Sequence, residues 1–262
     1  MMIKRVLLGC LLSLCWMLAP AADAANLDVS GDVGVGLVSS YIWRGREYSD
    51  KAIVQPEVGV RIDRWMLNAR GMWDLEGGDP DSTERTRADL MLDYGIPWND
   101  LQFKVGAIAR IFHDDPGGKA SDTYEVFAQV VANTMLCPSL TLYYDFGNIE
   151  GVYASVGLGD TTRLCEWADA VLNVQVGMGN ARFNRDFFGN PDADEGEEFL
   201  TEKNALVDFS GSLAFPMTYR EVVLTPKVEY IALLDSDLRD AAKAAGREAS
   251  RVVGSITATW EF

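Results

Sequence analysis

The chain contains a single histidine, His113, followed at once by Asp114 and Asp115. Histidine beside carboxylates is the pairing that general-base hydrolysis uses, but the chemistry also needs a nucleophile within hydrogen-bond reach. No serine adjoins His113 in sequence, so a hydrolase here would depend on residues brought in from elsewhere. A polar residue at a strand end is the plainer account, and the chain is not expected to be an enzyme. The larger set of reactive side chains is a series of charges separated by apolar residues. The basic members Arg61, Arg70, Arg87, Lys104 and Arg110 share their segments with Glu57, Asp74, Asp89 and Asp93. A row of fixed cations on the wall of a narrow pore would concentrate anions, and carboxylates on the same segments would cancel that preference. Further along stand Arg44, Lys227 and Arg251, with Glu125, Asp145, Asp208 and Glu229.

Two other groups could do chemistry. Asp192, Asp194, Glu195, Glu197 and Glu198 crowd one segment, but Glu195 occupies the place where a calcium-binding loop starting at Asn190 needs glycine. A solvated acidic loop is the better reading, and no metal or cofactor is expected. Phe183, Phe187, Phe188 and Phe199 in the same segment could fold it inward as a constriction. Cys137 and Cys165 are the only cysteines beyond the leader and flank two short turns. In an oxidising compartment they are expected to form a structural disulfide.

These residues are carried by segments of period two. From Leu27 the odd positions read Leu27, Val29, Gly31, Val33, Val35 and Leu37, with Asp28, Ser30 and Asp32 between them. Alternation of this kind marks a strand with one apolar face. It recurs at Val54–Ile62, Trp65–Trp73, Ala88–Tyr94, Leu101–Ile111, Tyr124–Val130, Leu140–Tyr144, Val152–Leu158, Ala170–Met178, Val207–Phe215, Val222–Tyr230 and Val252–Phe262. The connections alternate between short, as at Asp63–Arg64, Gly159–Trp167 and Pro216–Thr218, and long, as at 181–203 and 233–248. The last of these reads as a short capped helix over Ser236–Glu248. Aromatic residues gather at both strand ends, Tyr41, Trp43, Trp73, Tyr124, Tyr144 and Tyr230 at one and Trp65, Tyr94, Phe103, Phe215, Trp260 and Phe262 at the other.

The ends of the chain agree with this pattern. Lys4 and Arg5, the apolar run Val6–Leu18 and Ala22-Asp23-Ala24 have the plan of a secretory leader, so residues 1–24 are expected to be removed and 25–262 to form one domain. A formal net charge of -16 excludes attraction to nucleic acid or anionic lipid by net charge. No later apolar run reaches helical membrane-spanning length, which leaves a closed barrel as the only way to cross a bilayer. The final strand, with Gly254, Trp260 and Phe262 on its apolar face, resembles the terminal signal strand by which barrel-assembly machinery recognises outer-membrane barrels.

The segment VSSYIWRGREYSDKAIVQPEVGV, residues 38–60, resembles the opening motif of Gcw_chp, a family of uncharacterised bacterial outer-membrane barrels. Ser40, Tyr41, Arg44 and Gly45 match its Ser-x-Tyr-x-x-Arg-Gly spacing, while Gln55 and Pro56 stand in reversed order. The resemblance implies a barrel and brings no active site with it. The expected fold is therefore all-β: a single transmembrane antiparallel up-and-down barrel of about twelve strands, embedded in outer-membrane lipid with both termini periplasmic. The expected function is passive passage of small hydrophilic solutes, anions among them. The alternatives are a closed scaffolding barrel and a rim hydrolase using His113.

Overall fold

The computed structural model describes residues 27–75, 86–113, 122–189 and 201–262. Its wall is built from β1 (Val29–Val38), β4 (Ile53–Ile62), β5 (Trp65–Asp74), β6 (Thr86–Trp98), β7 (Leu101–His113), β8 (Thr123–Ala132), β9 (Ser139–Asp145), β10 (Val152–Cys165), β11 (Ala168–Gly179), β12 (Ala205–Ala214), β13 (Met217–Tyr219), β14 (Val222–Leu233) and β15 (Ser250–Glu261). Each strand pairs antiparallel with the next, and β15 closes on β1 with Trp260 opposite Val33 and Ile256 opposite Leu37. β12 and β13 are one stave. Both pair with β14 in a single register, and the break between them falls at Phe215-Pro216, where proline has no N–H to give the ladder. The barrel is therefore closed with twelve staves, the expected architecture. Closure satisfies every edge, which a bilayer demands of a sheet.

The period-two pattern sets the sidedness. Val33, Val35, Leu37, Leu90, Leu92, Val126 and Leu142 are exposed on the outer surface. Trp65, Trp98, Trp167, Tyr219, Trp260 and Phe262 ring the end that carries the short turns, and Tyr124, Tyr144, Phe146 and Tyr230 ring the other. Phe262 does close the wall: its N–H donates to Gly31 O at 2.9 Å and its carbonyl accepts from Gly31 N at 2.8 Å. Its ring lies so close over Gly31 that a β-carbon there would approach it to 2.8 Å. Gly254 faces open space on the outer surface.

Tyr41 and Trp43 do not belong to the lipid-facing girdle. The first strand stops at Val38, and the chain turns into a separate hairpin of β2 (Tyr41–Trp43) and β3 (Arg46–Ser49) that is not part of the wall. Two helices complete the loop end, α1 (Ala181–Phe188) and α2 (Ser236–Ala244), the second as expected. Among the described residues no helix is long and apolar enough to cross a membrane. Asp114, Asp115, the acidic run from Asp192 to Glu198, and Phe199 lie outside the described residues.

The expected disulfide is corrected. Cys137 and Cys165 are both exposed free thiols. Gly159 N donates to Leu136 O at 2.8 Å, so the turn holding Cys137 sits beside Gly159. β10 then runs on to Cys165 past the end of β9. Six residues of extended chain place Cys165 on the order of 20 Å from that point, and a disulfide needs Cα atoms within about 7 Å. Both thiols of the folded protein are expected to react with a maleimide reagent without prior reduction; a doubly unreactive protein that becomes reactive after reduction would reinstate the bridge.

Candidate functional site: a divided lumen

The interior begins with the hairpin β2–β3. Trp43 pairs with Arg46, leaving Arg44 (φ 48°) and Gly45 (φ 74°) as the two central residues of its turn. Two left-handed residues in a two-residue loop are the type I′ arrangement that suits strand twist. Glycine is at ease there and arginine is not, at a cost of about 1 kcal/mol or more. What offsets that cost is the partner of the guanidinium. Arg44 Nη1 and Nη2 donate to Glu125 Oε1 and Oε2 at 2.6 and 2.9 Å, and both side chains are buried.

Glu125, on β8, also receives Arg110 Nη1 from β7 at 2.7 Å. Arg110 lies 3.8 Å from Asp89 on β6, which in turn accepts two 2.6 Å hydrogen bonds from Arg87. Three arginines and two carboxylates thus form one chain, buried except at Asp89, which is half-buried. The surplus positive charge faces aromatic rings: the guanidinium carbons of Arg44, Arg87 and Arg110 lie 4.7, 4.6 and 4.2 Å from the Trp43 ring centroid. Arg44 is also 4.4 Å from the Tyr143 ring and 4.3 Å from that of Tyr153. The negative ring faces lower the cost of a desolvated cation. Sequence inspection marked these charges as lumenal; it could not show that Trp43 stands among them.

α1 covers the hairpin. Its N-cap Asn180 accepts from Phe183 N, which fixes the entry of the helix. Phe183, Phe187 and Phe188 are buried in a core with Tyr153, Val207, Leu233 and Leu238 of α2, and Trp43 packs edge-on against Phe187 at 5.1 Å. Arg46 donates to the Phe187 carbonyl. The inward constriction expected of this segment is therefore present for its first three phenylalanines. α2 is held by its N-cap Asp235, and Lys203 Nζ reaches Asp235 and Asp237 at 2.9 and 2.6 Å.

Gly45 is sterically required by this packing. A β-carbon there would approach Leu233 Cδ2 to 2.5 Å and Asp208 Cβ to 3.0 Å. Gly45→Ala is expected to lower stability by about 1–2 kcal/mol for the left-handed backbone alone, with a further penalty for the clash. The check is thermal unfolding followed by near-ultraviolet circular dichroism. An unchanged midpoint would mean that the hairpin does not dock as described.

The opposite wall is different. A cavity of about 430 Å³ runs along β14, β15, β1, β4 and β5, from the level of Thr259 near the turn end to Ser40 and Ile42 beneath the hairpin. Its lining includes Thr225, Ser255 and Thr257, together with two ion pairs, Glu57–Arg70 at 2.9 Å and Lys227–Glu229 at 2.7 Å. Of the two outcomes open to the basic row, pairing with the carboxylates of the same segments is the one found. Arg87 and Arg110 are buried with carboxylates, Lys104 lies 3.7 Å from Asp93, and Arg70 is bound to Glu57. Arg61 stays exposed near the turn end, and Asp74 accepts from Ser49 Oγ at 2.8 Å. The reason is register: Arg70 faces Glu57 and Asp89 faces Arg110 across neighbouring strands, so opposite charges meet.

His113 is the last residue of β7, paired with Thr86. Among the described residues no group of histidine, cysteine and carboxylate side chains could hold a metal ion.

No protein-family model matches the chain, and no curated protein matches its sequence. Solved structures do match. The KdgM porin aligns with TM-score 0.50 at 10% identity over 89% of this chain and 99% of that one. The KdgM porin in complex with disordered oligogalacturonate does so with TM-score 0.50 at 9% identity over the same shares. LpxR from Salmonella typhimurium aligns with TM-score 0.47 at 12% identity over 88% of this chain and 99% of that one. At such identity the likeness to KdgM is one of fold, and the fold is that of an outer-membrane β-barrel.

Proposed function

We propose that this protein sits in the outer membrane of a Gram-negative bacterium and passes small hydrophilic solutes through a narrow path along one side of its lumen. The observation that carries the reading is the polar cavity, about 430 Å³ in volume, on the β14–β15–β1–β4–β5 wall. A wall filled by side chains, as in smaller barrels, would leave no such space. The short turns and both chain ends of the barrel lie at one end, which in bacterial barrels faces the periplasm. The folded hairpin, α1 and α2 then occupy the outer side and limit the size of what enters. The likeness in fold to a porin supports this reading.

A second reading, a closed barrel that works through its outer surface, is favoured by the buried arginine chain and the aromatic core above it. Single-channel recording of refolded protein in a planar bilayer separates the two. Discrete, small, steady current steps are expected of the channel. A correctly folded but silent barrel would leave the closed reading standing.

A further inference from the structure

We infer that the solutes suited to this lumen are small, uncharged, hydroxyl-rich molecules of the sugar or polyol class, not anions. The inference rests on the channel reading and adds to it the chemistry of the wall.

The charges on the cavity cancel locally. Arg70 gives Nε and Nη2 to one oxygen of Glu57, at 3.2 and 2.9 Å, and Lys227 is bound to Glu229. Two cations and two carboxylates leave the cavity lining without net charge. A solute ion entering such a pore loses hydration without gaining a counter-charge, because each fixed charge is already engaged with its neighbour. A neutral polar solute pays less, provided that the wall can replace its hydrogen bonds with water.

The wall can do so. Thr225 and Thr257 are direct cross-strand partners, Ser255 is opposite Lys227, and Thr259 is opposite Val223. Their hydroxyls form a band on β14 and β15 facing the cavity. A hydroxyl both donates and accepts, so it can match either end of a solute hydroxyl, which a fixed cation or carboxylate cannot. β1, the strand beside β15, leaves this band uncovered at Gly36. Gly36 lines the cavity, and a β-carbon in its place would stand 3.1 Å from Thr257 Oγ1; at Gly34 one would stand 3.2 Å from Thr259 Oγ1. At Gly36 the missing side chain leaves the cavity open beside Thr257, while at Gly34 the space is taken by Glu57.

The test uses the full-length mature barrel in lipid vesicles loaded with labelled glucose, glucuronate or glucosamine, together with the reversal potential in a potassium chloride gradient. Glucose is expected to leave several-fold faster than either charged sugar, with a reversal potential near zero. Replacing both Thr225 and Thr257 with the near-isosteric valine should slow glucose several-fold while leaving potassium chloride conductance close to wild type. Arg70→Gln, which frees Glu57, should move the reversal potential toward cation selectivity. Glucuronate or glucosamine leaving faster than glucose would overturn this inference and leave the channel intact. Equal loss of glucose flux and salt conductance in the valine variant would also overturn it, because the hydroxyls would then have only a packing role. No current and no efflux in the wild type would instead remove the channel reading itself.

Discussion

Glu125→Gln is expected to undock the β2–β3 hairpin without opening the barrel wall. The glutamine amide has one acceptor oxygen and no charge, yet two guanidinium groups, those of Arg44 and Arg110, converge on that position. Removing the charged partner of a buried pair costs about 3–5 kcal/mol, mostly because the surviving charge is stranded. The stranded Arg44 is already held in a left-handed conformation that arginine disfavours, and it loses the charged contact that offset this cost, keeping only its aromatic neighbours. The wall ladder does not depend on the pair: β7, β8 and β9 keep their backbone registers whatever residue 125 carries. The readout is limited trypsin digestion of the folded barrel. Arg44 is buried and Arg46 is bound to the Phe187 carbonyl, so the wild-type hairpin should resist cleavage, while the variant should be cut at both. A well-packed apolar replacement of all three groups, Arg44→Met and Arg110→Met with Glu125→Leu, should restore much of the resistance at Arg46, since a buried ionic cluster of this kind is replaceable by hydrophobic side chains of similar volume. Equal resistance in wild type and Glu125→Gln would mean that the hairpin is held by its other contacts, the aromatic rings and the Arg46 and Ser49 hydrogen bonds, without the ion pair.

The wall was legible in the sequence because lipid and water impose the same alternation on every stave, and Val33, Leu92, Val126 and Leu142 obey it one residue at a time. The ends of staves were harder. The turn expected at 159–167 is in fact two residues, Glu166 and Trp167, because β10 continues to Cys165 although its outward positions turn polar at Asp160 and Thr162. That error is also what made a disulfide between Cys137 and Cys165 look geometrically reasonable. The strand break at Pro216 was read as a turn for a similar reason: proline interrupts the ladder there, but Met217–Tyr219 resume it in the same register. The interior was legible only as a list of charges. Tyr41 and Trp43 continue the alternation of β1 perfectly, so nothing local distinguishes a lipid-facing aromatic from one folded into the lumen. The distinguishing signal was Arg44-Gly45, a two-residue turn with an aromatic strand on one side and Tyr48 on the other. The partner that explains Arg44 is 81 residues away, and sequence spacing carries no trace of such a contact.

Removing the hairpin altogether should have the largest effect on passage. Val38 and Ile53 are direct register partners at the loop end of β1 and β4, so residues 41–49 can be replaced by a short glycine-serine turn without stretching the wall. Three arginines would lose the Trp43 ring, and α1 would lose the ring that packs on Phe187. The space vacated lies directly above the polar cavity, because Tyr41 and Ile42 form part of its lining. The expected result is a several-fold rise in single-channel conductance. Selectivity should change far less. The deletion takes Arg44 away from a chain of three arginines and two carboxylates, leaving Arg87 and Arg110 against Asp89 and Glu125, so the newly wetted surface is balanced. Water reaching these groups also relieves the desolvation that made them depend on aromatic faces, which favours the open lumen once the hairpin is gone. A rise in conductance with a strong shift toward anions would mean that Arg87 and Arg110 are not neutralised by their partners in water. Unchanged conductance would locate the narrowest point above the hairpin, in the core that α1 and α2 build around Phe183 and Leu238.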